Sequence, residues 1–113
     1  MAELEEIGRD EWEQFVGAER AVLVLSKTDC SKCARWAREL SEFLQSDQEF
    51  GDVRFGKMVL DRPGLSRFKL ANPWLREVAD LPFNVIYRAG ERVKSWAGGG
   101  VDRLVNRLRR LAG

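Results

Sequence analysis

The spacing of apolar residues changes along the chain from the pattern of a strand to that of a helix. Residues 21–25 are a continuous, β-branched-rich apolar run, which is typical of a strand buried on both faces. After four polar residues, apolar positions recur at intervals of three and four over residues 30–44, which predicts an amphipathic helix. These positions are Cys33, Trp36, Ala37, Leu40, Phe43 and Leu44. A strand, a short loop and a long helix form the first half of a βαβ unit.

A shorter helix is predicted before the buried strand, over residues 9–17. Asp10 and Glu13 fit an aspartate variant of the capping box, and Trp12, Phe15 and Val16 recur at helical spacing. Whether the acidic residues 4–7 form an edge strand ahead of this helix stays open.

The second half of the chain predicts two further strands and then a hairpin partner. Residues 53–61 and 83–88 read as strands, and residues 91–97 pair with the latter across the Ala89-Gly90 turn. Asn72 and Pro73 fit the start of a short helix over residues 74–79, whereas the pattern assigns no element to residues 65–71. The last helix is predicted over residues 101–111, after three glycines. The order α, β, α, β, short α, β, β, α predicts a mixed α/β sheet of four to five strands, with helices on both faces.

Length and charge restrict the classes of protein to which the chain can belong. With 113 residues, the chain is predicted to form a single domain, 1–113. The formal net charge of +1 gives no bias toward nucleic acid or an anionic membrane. Residues 1–6 are acidic and contain no apolar core, so we expect no secretory signal and a cytoplasmic location. We also expect a monomer without nucleic-acid or membrane partners.

The two cysteines, Cys30 and Cys33, stand at the predicted junction of strand and helix, in a chain without histidine. A C-x-x-C sequence at such a junction favours a redox-active dithiol over a pair of structural cysteines. A metal site is disfavoured because structural zinc normally takes four nitrogen or sulfur ligands. Only two chains that shared their cysteines could supply such a set.

The order of elements, together with several local motifs, resembles the thioredoxin fold over about residues 10–112. The motifs are Cys30-Ser31-Lys32-Cys33 after Val22-Leu23-Val24-Leu25, Val59-Leu60-Asp61, Leu81-Pro82, the hairpin 85–91 and Gly98. The resemblance implies that Pro82 is a cis-proline beside the cysteines and shapes a groove for the substrate backbone. It also implies a thiol-disulfide oxidoreductase that exchanges electrons with protein disulfides through Cys30 and Cys33. Such a protein needs no bound cofactor but requires an electron donor, which the sequence does not identify.

Five positions depart from the pattern of thioredoxin itself. Asp29 stands where that family has Trp, and Ser31-Lys32 stands where it has Gly-Pro. The buried acid of the family falls at Val24, and the proline that kinks the active-site helix falls at Arg38. These departures keep a second hypothesis open, in which the chain is an interaction or adaptor module with the same fold and no redox catalysis.

The position of the two cysteines predicts different roles for them. Cys30 lies where unpaired N–H groups of a helix N-terminus favour a thiolate, so we expect it to attack. Cys33 lies on the apolar stripe, so we expect it to resolve the mixed disulfide. Lys32 and Arg35 add positive charge, whereas Asp29 either opposes them or caps the helix.

For the remaining polar and aromatic candidates, structural roles are favoured over functional ones. Lys57 is expected on a solvated face, and Asp61 is expected to cap the loop at the end of its strand. Trp36 and Trp96 are expected in the core, whereas Trp74 is a candidate for a partner-docking surface. The C-terminal arginines are expected to form a solvated helix face that complements the helix dipole; they are Arg103, Arg107, Arg109 and Arg110.

Overall fold

The computed structural model of the protein describes residues 3–112. Met1, Ala2 and Gly113 belong to the predicted domain, and the first two to the acidic N-terminus, but they lie outside the described residues. The elements are β1 Leu4–Glu6, α1 Trp12–Val16, β2 Arg20–Ser26, α2 Ser31–Ser46, β3 Arg54–Val59, α3 Ser66–Ala71, a 3₁₀ helix Pro73–Glu77, β4 Phe83–Arg88, β5 Glu91–Ala97 and α4 Val101–Ala112.

The five strands form one mixed sheet in the order β1-β3-β2-β4-β5. Strands β1, β3 and β2 run parallel to one another, and β4 and β5 continue the sheet with antiparallel pairs. The buried strand β2 therefore lies at the centre, and its carboxyl end leads into α2. In the hairpin β4–β5, the start of β4 and the end of β5 lie at the same end of the sheet.

Alternate residues of β2 point into two separate cores, which explains its continuous apolar run. Val22 and Val24 pack with residues of α2 and α4, whereas Ala21, Leu23 and Leu25 pack on the opposite face with residues of α1 and α3. A strand covered on both faces needs apolar side chains at every position. The predicted α/β fold, with a mixed sheet covered by helices on both faces, is confirmed.

One local prediction is wrong, and the structure assigns two segments that the sequence pattern left open. The capping box at Asp10 is wrong, because α1 begins at Trp12 and no side chain caps it; the carboxylate of Glu11 accepts a hydrogen bond from the Gly8 N–H instead (2.8 Å). Residues 66–71, which the pattern left unassigned, form α3 around the buried Phe68. The acidic N-terminal segment does form an edge strand, paired in parallel with β3.

The short helix after Pro73 is a 3₁₀ helix rather than an α-helix, although Pro73 is its first residue as predicted. Asn72 holds the predicted N-cap position, but its side chain makes no capping hydrogen bond. Its side-chain N–H donates to the Phe68 carbonyl (2.7 Å), and its side-chain oxygen accepts from the Trp74 indole N–H (3.0 Å). The Trp74 ring is half-buried against Phe83, with the Arg92 guanidinium 4.4 Å from its centroid. This ring therefore joins the segment 62–81 to the hairpin, and its role in docking a partner stays a prediction.

Trp36 and Trp96 are buried, as predicted, with 1% and 8% of their surfaces exposed. Within residues 3–112, no helix has the length and apolar character needed to cross a membrane.

Candidate functional site

The two cysteines lie where the central strand β2 gives way to α2, and they form a disulfide in the structure. Their Cα atoms are 5.3 Å apart, a separation that a disulfide spans readily. Cys30 has extended backbone angles and is the N-cap of α2, so helix begins at Ser31. The backbone N–H of Cys33 donates to the Cys30 sulfur at 3.2 Å. The amino end of α2 thus points a hydrogen-bond donor at one sulfur of the pair.

The two sulfur-bearing residues differ in exposure. Cys33 is buried on the apolar stripe of α2, with 3% of its surface exposed, whereas Cys30 is partly exposed. An external thiol or disulfide therefore meets Cys30 first. This difference is the basis for assigning distinct chemical roles to the two residues.

Asp29 does not cap the helix, so that alternative of the sequence analysis is wrong. The N-cap position belongs to Cys30, and Asp29 adopts a left-handed backbone conformation with φ of 55°. Aspartate tolerates this conformation better than most residues do. Its exposed carboxylate remains beside the disulfide as the negative charge nearest to Cys30 in sequence.

Asp61, just after β3, is hydrogen-bonded to the loop before Cys30. The Asp61 carboxylate accepts hydrogen bonds from the Thr28 backbone N–H (3.1 Å) and from the Thr28 hydroxyl. The Leu60 N–H donates to the Ser26 carbonyl at 2.8 Å, next to this contact. The Thr28 hydroxyl, and then its N–H, lower the pKa of Asp61 below its ordinary value of 3.8. Asp61 therefore caps the loop, as the sequence analysis expected.

Acidification is expected to break the hydrogen bonds between Thr28 and Asp61 only below pH 3.8. Because the pKa of Asp61 is lowered in the folded state, its contribution to stability is complete above the ordinary value and is lost as the pH falls through the lower one. The chemical shift of the Thr28 amide proton should therefore change with a midpoint below pH 3.8. An Asp61→Asn variant should show no such transition. A midpoint at or above 3.8 in the parent protein would contradict the assignment.

An open cavity of about 520 Å³ lies on the β3 side of the disulfide. Its lining residues are Ser26, Lys27, Asp29, Cys30, Ser31, Cys33, Ala34 and Lys57. Lys57 was expected on a solvated face, but its side chain is only 25% exposed and its ammonium lies 3.1 Å from the Glu6 carboxylate. The structure therefore brings a paired lysine close to both cysteines, a position that the sequence pattern did not favour.

A groove of about 630 Å³ lies on the other side of the disulfide. One wall comes from α2, through Lys32, Arg35, Trp36 and Glu39; the opposite wall comes from Asp80, Leu81, Pro82 and residues 97–100. The Leu81–Pro82 peptide bond is cis, and Pro82 is buried. Lys32 and Arg35 are exposed on the rim, and neither forms an ion pair with the part of the chain described here. The predicted site residues thus divide between this groove and the cavity on the β3 side.

A buried polar residue that the sequence analysis overlooked lies behind the groove. Asn84 is fully buried in β4, opposite Val24 of β2, and accepts a hydrogen bond from the Trp36 indole N–H (2.8 Å). Val24, at the position of the family's buried acid, is itself 1% exposed. A signal was present in the sequence, because Asn84 is a polar residue within the apolar strand 83–87. A polar residue inside a strand covered on both faces must be buried and needs hydrogen-bond partners.

Within residues 3–112, no three Cys, Asp or Glu side chains come together in a way that would hold a metal ion.

Comparison with solved structures finds several thioredoxins with a similar fold. The chain resembles thioredoxin f from spinach chloroplast (short form), with a TM-score of 0.76 and 19% identity over 99% of this chain and 96% of that one. It also resembles the thioredoxin of Malassezia sympodialis, with a TM-score of 0.75 and 19% identity over 97% of this chain and 91% of that one. For thioredoxin O2 of Arabidopsis thaliana in the oxidized state, the TM-score is 0.72 and the identity 18%, over 97% of this chain and 95% of that one. No protein-family model matches the sequence, and no curated protein matches it. At such low identities, the likeness shows a shared fold.

Proposed function

On the premise that the chain has the thioredoxin fold, we propose that it is a thiol-disulfide oxidoreductase that exchanges electrons with protein disulfides through Cys30 and Cys33. The observation that carries this proposal is the disulfide at the amino end of α2, with Cys30 partly exposed and Cys33 buried behind it. The groove between α2 and Pro82, with Lys32 on its rim, offers space for a polypeptide.

In the reducing direction, the reaction has two exchange steps. The Cys30 thiolate attacks one sulfur of a substrate disulfide, forming a mixed disulfide and releasing the other substrate sulfur as a thiolate that takes up a proton. The thiolate of Cys33 then attacks the Cys30 sulfur, closing the Cys30–Cys33 disulfide and releasing the second substrate thiol. Two electrons pass from the dithiol to the substrate, and an external thiol donor must return them before the next cycle.

Several features of the site support the assignment of Cys30 as the attacking group. The Cys33 N–H points at the Cys30 sulfur, and a hydrogen bond to the charged form of a group favours that form. The amino end of the 16-residue helix α2 and the nearby Lys32 and Arg35 favour negative charge at the same place. The Cα separation of 5.3 Å allows Cys33 to reach Cys30 in the second step.

We propose further that the protein works in the cytoplasm, as a monomer and without a bound cofactor, membrane or nucleic acid. The two sulfurs carry the electrons themselves, so the chemistry requires no other group. A cytoplasmic location favours the reducing direction, because that compartment keeps thiols reduced.

Reduction of insulin disulfides with dithiothreitol as electron donor tests the proposal. The parent protein should accelerate the reaction in proportion to its concentration, whereas Cys30→Ser should leave the rate at that of dithiothreitol alone. Circular dichroism should show that the variant keeps its fold, since Cys30 is not part of either core. If both proteins are equally inert, the oxidoreductase proposal fails and the interaction-module hypothesis takes its place.

A further inference from the structure

Asn84 links three parts of the chain that surround the groove. Its side-chain oxygen accepts from the Trp36 indole N–H (2.8 Å) on α2. Its side-chain N–H groups donate to the Gly98 carbonyl (2.7 Å) and to the Trp96 carbonyl (3.3 Å), at the end of β5 and just beyond it. Asn84 itself lies in β4, two residues after Pro82. One fully buried amide thus connects α2, strand β4 just after Pro82, and the part of the groove formed by residues 98–100, the glycine wall.

The hydrogen bonds allow only one orientation of this amide. An indole N–H can only donate, and a backbone carbonyl can only accept, so the oxygen of Asn84 must face Trp36 and its nitrogen must face Gly98 and Trp96. All three contacts become unfavourable if the amide turns over. Since Asn84 has no exposed surface, water cannot replace any of these partners.

The glycine wall is hydrogen-bonded to Pro82 and Asn84 and packs closely against Trp36. The Gly98 N–H donates to the Pro82 carbonyl at 2.8 Å, so Gly98 is hydrogen-bonded to both Pro82 and Asn84. A Cβ on Gly99 would lie 3.1 Å from Cβ and Cγ of Trp36, which shows how closely this wall approaches α2. The separation of the two walls of the groove is therefore set where Trp36, Asn84 and Gly98 meet.

From this arrangement we propose that Asn84 is a positioning residue for disulfide exchange, which sets the width of the groove and thereby the approach of a polypeptide disulfide to Cys30. The inference rests on the proposed function. Asn84 does not line the groove and belongs to neither wall's surface, so it acts through Trp36 and Gly98. Its removal should impair reaction with a bulky substrate that fills the groove and should spare a small disulfide that only needs to reach the exposed sulfur.

The test compares two oxidants of the pre-reduced protein in single-turnover reactions: insulin and the small, uncharged bis(2-hydroxyethyl) disulfide. For Asn84→Leu, we expect the rate constant with insulin to fall on the order of tenfold, because small displacements of reacting groups have effects of this size. The rate constant with the small disulfide should stay within about twofold of the parent value, since the cysteines themselves are untouched. The readout is the rate constant with insulin divided by the rate constant with the small disulfide.

Ile86→Ala serves as the matched control. Ile86 lies on the same face of β4, two residues along, in the core shared with Trp36 and Trp96. Its truncation removes packing without touching the amide contacts, so it should lower stability and leave the ratio of rate constants unchanged. Any variant that only lowers stability should likewise leave the ratio of rate constants unchanged.

Trp36→Phe provides a second route should Asn84→Leu fail to fold, because it deletes the indole N–H and keeps an aromatic ring. It should lower the same ratio, and in the double variant the two effects should be less than multiplicative, as expected for groups that share one contact. An unchanged ratio in the folded single variants, or fully multiplicative effects in the double variant, overturns the positioning role. A parent protein that reacts with neither disulfide overturns the proposed function, and this inference with it.

Discussion

A Cys33→Ser variant is expected to remain covalently joined to a protein substrate through Cys30. In the oxidoreductase mechanism the exposed Cys30 forms the mixed disulfide, and only the buried Cys33, 5.3 Å away between Cα atoms, can resolve it within the chain. Without that sulfur, the intermediate should accumulate. Incubation of the reduced variant with insulin, followed by alkylation and nonreducing electrophoresis, should show an adduct that dithiothreitol removes.

The reciprocal variant provides the control for this experiment. Cys30→Ser should form far less adduct, because the remaining cysteine, Cys33, is only 3% exposed. The double variant Cys30→Ser/Cys33→Ser should form none. If Cys33 rather than Cys30 carried the adduct, the assignment of attacking and resolving residues would be wrong, although a dithiol mechanism would still hold.

The second prediction is that a substitution at Gly56 lowers the stability of the fold. Gly56 lies in β3, between β1 and β2, and it is buried. A Cβ at this position would come within 2.5 Å of the Ile7 side chain and within 2.8 Å of the Phe15 ring. Both side chains belong to a packed core and cannot withdraw without disturbing it. We expect Gly56→Ala to lower the free energy of unfolding by about 1–3 kcal/mol, as measured by urea denaturation.

Gly51→Ala is the matched substitution in an open position. Gly51 is exposed in the turn before β3, and a Cβ there would meet nothing within 4 Å. The free energy of unfolding should stay within about 0.5 kcal/mol of the parent value. Equal losses in the two variants would show that the effect comes from the general cost of replacing glycine, and that the close packing of Ile7 and Phe15 against β3 is not its cause.

The surroundings of the two cysteines differ from those of a dithiol with a buried acid behind it. Val24 occupies that position and is apolar, and the polar group beside it in the sheet is Asn84, which does not titrate. Lys57, also beside Val24 in the sheet, lines the cavity next to the cysteines and is paired with Glu6. The groups that the structure places around the two cysteines are therefore hydrogen bonds and a helix terminus, with no carboxyl at the position of Val24.

The sequence by itself determined the type and order of most elements, because these follow from local periodicity. The run 21–25 has the pattern of a strand covered on both faces, and the stripe from Cys33 to Leu44 has the spacing of one side of a helix. The junction of these two elements fixed the position of the dithiol. The short elements were harder to predict: α3 and the 3₁₀ helix contain few residues, so packing against Phe68 and Trp74 outweighs local preference.

Only the tertiary structure decided which distant residues surround the cysteines. Lys57, Asp61, Pro82 and Asn84 lie 24 to 51 positions after Cys33 in the sequence, and the pairing of β2 with β3 and β4 brings them to one end of the sheet. Asn84 shows the limit of sequence patterns most clearly. Periodicity places it in a strand, but its hydrogen bonds to Trp36 and Gly98 exist only because the sheet and α2 pack together. The local pattern thus located the two cysteines, whereas the fold determined which distant side chains lie near them.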